Sequence, residues 1–137
     1  MLSAISAQSE MRFMVHEGSV TADSFSEILS RQAAGVERKI NQVLDGQSIH
    51  KAANVQKHLA ALNRQITLFF LPLYSPDLNA DEWVWELVKQ CIARQPVRTR
   101  RDLKRVALSA LRSLQQMPGK IRGFFRDFCC CYAAAQL

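Results

Sequence analysis

Residues 66–71, Ile-Thr-Leu-Phe-Phe-Leu, make an apolar run bounded by polar residues on one side and a Pro-rich loop, 72–76, on the other. The pattern fits a strand buried on both faces, which needs cover on each side and so restricts the chain to layered α/β arrangements. The flanking sequence supplies the other layers. Residues 2–7 and 11–16 read as short strands around the polar turn Gln8-Ser9-Glu10, with Gly18 closing the second. Phe25, Ile28, Leu29 and Ala33 then recur at helical spacing, with Thr21 or Asp23 available as a cap. Residues 40–44 form a strand that runs into Asp45-Gly46, a turn signal. A helix over 50–62 carries Val55, Leu59 and Leu62 on one face.

After the loop, Asn79 is expected to open a helix with Trp83, Leu87 and Ile92 on its apolar face, ending before Pro96. Thr99 is expected to cap the next, with Asp102 three residues on and Leu103, Val106, Leu111 and Leu114 facing inward. Pro118 begins a last helix bearing Ile121, Phe124 and Phe125. The order strand, strand, helix, strand, helix, strand, helix, with a helical extension, predicts a mixed sheet with flanking helices.

A chain of 137 residues is enough for one domain with a core. Hydrophobic residues at 48% against 22% charged exclude a disordered chain. No apolar run is long enough to span a bilayer, and residues 1–11 lack a basic segment followed by an apolar one. The expected compartment is the cytoplasm, and no membrane partner is expected. The net charge of +6 is unevenly placed, because residues 91–137 hold ten Lys and Arg against two acids. A basic tail on a mildly acidic body points either to a polyanion-facing surface or to a solvated helix face. Cys91 and the run Cys129, Cys130, Cys131 make no metal-ligand spacing and are read as reduced thiols without a role.

Two acids stand where an α/β fold places metal chemistry: Asp45 at the end of a strand, and Glu82 in the first turn of the helix after the last strand. Thirty-six residues separate them. Carboxylates suit hard divalent ions, and a Mg²⁺ pair can activate a nucleophile and stabilise a leaving oxygen in phosphodiester cleavage. Each acid also has a plain reading. Asp45-Gly46 makes a turn, and Asn79-x-x-Glu82 fits a capping box.

The contexts of the two acids are more specific. Asp45-Gly46-Gln47-Ser48-Ile49-His50 resembles the Asp-Gly-x-x-x-His stretch around the second acid of mariner-like transposases. The segment 69–82, Phe-Phe-Leu-Pro-Leu-Tyr-Ser-Pro-Asp-Leu-Asn-Ala-Asp-Glu, resembles the stretch leading to their third acid. Arg98-Thr99 and Phe124-Phe125-Arg126 are similar to the tail of the bacterial insertion-sequence branch. The chain is thereby identified as similar to the DDE transposase catalytic domain of that superfamily, over nearly its whole length. It departs at Gln47 and Ser48, where His and Pro are frequent, and at Ala80, where Pro is usual.

The resemblance implies a Mg²⁺- or Mn²⁺-dependent enzyme that cleaves and joins DNA at transposon ends and target, with Asp45 and Glu82 as catalytic metal ligands. It places His50, Tyr74, Ser75 and Asn79 beside the site, with Asn79 capping the helix of Glu82. Lys89, Arg94, Arg98, Arg100, Arg101, Lys104 and Arg105 become candidate DNA contacts. The implied fold is ribonuclease H-like over 1–95, followed by a basic helical extension over 96–137. Family members carry a first Asp on a strand preceding the segment that begins at Leu2. The acids ahead of the first helix here, Glu10, Glu17 and Asp23, sit in a turn, at a strand end and near a helix cap. The expectation is therefore a carboxyl-terminal part of the domain without its central first strand, inactive alone and completed by an upstream transposase polypeptide or full-length homologue. The alternative is a degenerate, non-catalytic remnant that binds DNA or engages a transposase oligomer.

Overall fold

A computed structural model describes residues 1–45, 53–62 and 65–134. The chain is an α/β protein of four strands and five α-helices among these residues, divided into two compact units. No helix among the described residues is long and apolar enough to cross a membrane.

The first unit runs essentially from His16 to Asn79. Its helix α1, Ala22–Ala33, starts at Thr21, whose hydroxyl accepts from the Ser24 backbone while Ser24 reaches back in a capping box. Phe25, Ile28, Leu29 and Ala33 are buried, as their spacing predicts. Gly35 follows in the left-handed region at φ 73, where a side chain would be strained. Strands β3, Ile40–Leu44, and β4, Ile66–Phe70, pair in parallel with Ile40 opposite Ile66 and Leu44 opposite Phe70. Helix α2, Ala53–Ala61, is the crossover between them and packs on α1. It contributes buried Val55 and Leu59, and His58 Nε2 meets Ser30 Oγ of α1 at 2.6 Å.

The second unit joins residues 3–15 to the chain from Ala80 onward. Strands β1, Leu2–Ile5, and β2, Met11–Met14, form a hairpin closed by Ser6 N–H donating to Glu10 O at 3.0 Å. Helix α3, Asp81–Ala93, packs on α4, Arg100–Gln115, and α4 packs on α5, Pro118–Phe124. Val84, Val88, Val106, Leu111, Leu114 and Ile121 form the core, with Met11 and Met14 buried on the hairpin. The Gln115 side chain donates to Met11 O at 2.9 Å, which fixes α4 to β2.

Four expectations need correction. Strand β4 is not buried on both faces: Ile66 is buried, but Phe69 is 51% exposed and Phe70 is also exposed. The cause is pairing. Among the described residues β4 has one neighbour, β3, and the strands form two separate two-stranded sheets. On α3 the buried positions are Val84 and Val88, while Trp83 lies outside the core at 45% exposure. Leu103 is likewise exposed, because it occupies the first turn of α4, beyond the reach of the buried stripe that begins at Val106. Asn79 does not cap α3. It closes a 3-10 turn, Pro76–Leu78, and the helix starts after Ala80, with no side-chain bond at its cap.

The cap of α4 forms as the sequence predicts. Thr99 Oγ1 accepts from Asp102 N–H at 3.0 Å, and Asp102 Oδ2 accepts from Thr99 N–H at 3.2 Å. Thr99→Ala is expected to lower the unfolding free energy by about 1 kcal/mol in urea denaturation, and Thr99→Ser to leave it nearly unchanged. An alanine variant as stable as the parent would contradict this role for the cap.

Candidate functional site

The two candidate carboxylates belong to different units and have different surroundings. Asp45 follows β3 and is half-buried. The residue before it, Leu44, accepts the last ladder bond from Leu71 N–H at 2.7 Å, so the end of the strand is held where the acid begins. The stretch 46–50 that carries the Asp-Gly-x-x-x-His resemblance, His50 included, lies outside the described residues.

Glu82 sits exposed in the first turn of α3. A carboxylate there is favoured by the helix dipole and remains open to a ligand. Its approach loop has an unusual conformation. Tyr74 adopts φ 58, in the left-handed region that costs an aromatic residue energy, and its side chain is wholly exposed. Ser75 donates weakly to Leu73 O at 3.4 Å. Asn79 follows with extended backbone and donates its N–H to Pro76 O at 3.0 Å.

The residue before Glu82 was the one least visible in the sequence. Asp81 is tied to Ser3 of β1, whose hydroxyl reaches both carboxylate oxygens at 2.9 and 2.7 Å, and Trp85 also bonds to it. Residue 81 keeps some surface, but its carboxyl group is turned inward. Burial pushes its pKa up to about 6, opposed by the bond from Ser3 and reinforced by the charge of Glu82. The partner lies 78 positions away in the chain, so no local pattern could have announced it. Adjacent acids thus have opposite fates: one is enclosed and structural, the other open.

The basic residues sort in the same way. Lys89 is paired with Glu86 at 3.0 Å on the surface of α3. Arg94 is the C-cap of α3, and Arg98, Arg100, Arg101, Lys104 and Arg105 are all exposed. On α4, Arg101, Arg105 and Arg112 fall within a narrow arc opposite buried Val106, Leu111 and Leu114. Asp102, the single acid of that helix, has its carboxylate committed to the cap, where bonds from Thr99 and Arg98 N–H hold its pKa down.

Carboxylate oxygens are the right kind of donor for Mg²⁺ or Mn²⁺. Among the described residues, however, no group of three or more His, Cys, Asp or Glu stands together as a metal site. The donors present match a divalent ion in kind and fall short in number.

Residues 1–104 match the family model of the DDE superfamily endonucleases. The chain belongs to that family. The match spans the hairpin, both candidate acids and the start of α4, and identifies these residues as DDE transposase catalytic-domain sequence, for which DNA is the substrate class. A search of curated proteins gives no match.

Asp81 has a measurable signature. Its folded pKa, about 6, exceeds the ordinary 3.8, so the folded state holds the proton more tightly. Its contribution to stability is therefore greatest below about pH 4, declines as pH rises through 6, and stays low above. Asp81→Asn keeps an acceptor for Ser3 and removes that titration. It is expected to melt higher than the parent at pH 7.5, with the difference vanishing by pH 4. A pH-independent difference would contradict the enclosed carboxyl.

Proposed function

We propose that this chain is the carboxyl-terminal part of an insertion-sequence transposase catalytic domain, which acts on DNA and lacks strand-cleaving activity by itself. The observation that carries this reading is the family match over residues 1–104, a span that holds Asp45 and Glu82, whose sequence contexts resemble those of the second and third metal carboxylates. In the completed enzyme those two side chains would hold Mg²⁺ or Mn²⁺, and the ion would supply the electrostatic activation of phosphodiester cleavage. Two carboxylates neutralise a divalent pair poorly, so a further carboxylate from polypeptide outside residues 1–137 completes the set, either an upstream transposase segment or a full-length homologue. Glu10 supports this by its engagement in the hairpin turn with Ser6, and Asp23 by its place in the first turn of α1.

The fold reading is a ribonuclease H-like sheet over 1–95 with a basic helical extension over 96–137. Its support is the division of the strands into two pairs and the exposure of Phe69 and Phe70. A central strand would supply the missing backbone partners. Tyr74 and Ser75 would shape the loop before Glu82, and the chain would work at the nucleoid.

Phosphate contact is assigned to exposed arginines and lysines, chiefly Arg101 and Arg105 of the extension, with Arg98, Arg100 and Lys104 near them in the chain and Arg94 at the end of α3. Arg101 and Arg105 are one turn apart, about 6 Å along the helix axis. Binding of this kind is directed at the backbone and released by salt. Affinity for duplex DNA is expected to fall steeply between low and moderate salt, and the double variant Arg101→Gln, Arg105→Gln to reduce the slope of log K against log salt by about two. Supercoiled plasmid is expected to stay intact with the chain alone in Mg²⁺ or Mn²⁺. Binding indifferent to salt, or nicking abolished by Asp45→Asn, would overturn the respective parts of this reading.

A further inference from the structure

Trp83 is the residue after Glu82, and its side chain is not spent on the core. The indole is 45% exposed and lies nearly parallel to the ring of Phe124 at the end of α5, at an interplanar angle of 10° and a centroid separation of 6.4 Å. At that separation two parallel rings are offset, so each leaves part of a face uncovered. A large aromatic held flat at the surface by a second aromatic is a preformed stacking site, because its orientation is fixed before any ligand arrives.

The charges around it define the ligand. Lys120 lies one turn before Phe124 on the same side of α5 and is exposed. The acid one turn from Trp83, Glu86, is offset by Lys89 at 3.0 Å. A flat π surface beside a cation matches a nucleobase attached to phosphate, the pairing used by proteins that hold single-stranded nucleic acid. The interior of a duplex buries its base faces in its own stack, so the ligand must present an unstacked base.

We infer that Trp83 and Phe124 form a stacking platform for an unpaired base of a DNA strand, with Lys120 beside it to meet a phosphate. This deepens the DNA-acting reading above and rests on it. Because Glu82 precedes Trp83, the platform would hold a strand opened next to the residue assigned to catalysis. It would act by positioning.

The test uses the full chain with a fluorescein-labelled single strand of mixed sequence and the duplex of the same sequence, with affinity read by anisotropy. Trp83→Leu is expected to weaken single-strand binding roughly ten-fold and leave duplex binding unchanged, while Trp83→Phe restores most of the single-strand affinity. Phe124→Leu, which removes the support and leaves the indole, should show an intermediate loss, with thermal melting confirming that each variant folds. Single-strand affinity unchanged in Trp83→Leu, with duplex binding intact, would overturn the platform and leave the DNA-acting reading standing. No binding to either probe by the parent chain would overturn both. If Trp83→Leu instead lowers self-association in sedimentation and leaves single-strand affinity unchanged, the patch joins two copies and the inference fails.

Discussion

Backbone pairing is the constraint on which the rest of this molecule depends. A two-stranded sheet is marginal in water, and the described strands make two of them. Neither ladder can supply its own stability, so each is held by what packs beside it in its unit. In the first unit the parallel β3–β4 pair depends on the crossover through α2, which is itself anchored on α1 by Val55, Leu59 and the Ser30–His58 bond. In the second, the hairpin is fastened by Gln115 at Met11 O and by Ser3 at Asp81. Part of the apolar surface that remains uncovered lies on β4, where Phe69 and Phe70 lack the cover their composition calls for. A sheet in this state invites another strand.

The acids follow from the same scaffold. Asp45 is placed by the end of the β3–β4 ladder, and Glu82 by the start of α3. Asp81 shows how an enclosed carboxylate differs from an open one in this chain. Burial favours the protonated form against the opposing bond from Ser3, and both oxygens are engaged by that hydroxyl, which suits a tie between elements and ill suits a ligand for a cation. One position further along, Glu82 keeps the exposure that cation binding requires.

Local patterns were readable wherever the controlling interaction lies within about one helical turn. The stripe Phe25, Ile28, Leu29, Ala33 and the Thr99–Asp102 box both came from spacing alone. Patterns set by distant partners were not. Whether 66–70 is covered on both faces depends on which strands and helices flank it, and composition records only that the residues could be buried. The Asn79 cap failed because the chain first closes a 3-10 turn over Pro76–Leu78, which moves the helix start beyond Ala80. The candidate acids themselves were visible only through their motif contexts. Each has an ordinary local use, a turn or a cap, that spacing cannot separate from a metal role.

The central claim is that Asp45 and Glu82, and not the enclosed Asp81, are the carboxylates available to a divalent ion. Titration of Mn²⁺ against the chain, with free ion followed by electron paramagnetic resonance, tests it directly. Weak binding by the parent chain, reduced in both Asp45→Asn and Glu82→Gln and retained in Asp81→Asn at neutral pH, is the predicted result. Binding that survives both substitutions, or that disappears with Asp81→Asn alone, would contradict the assignment.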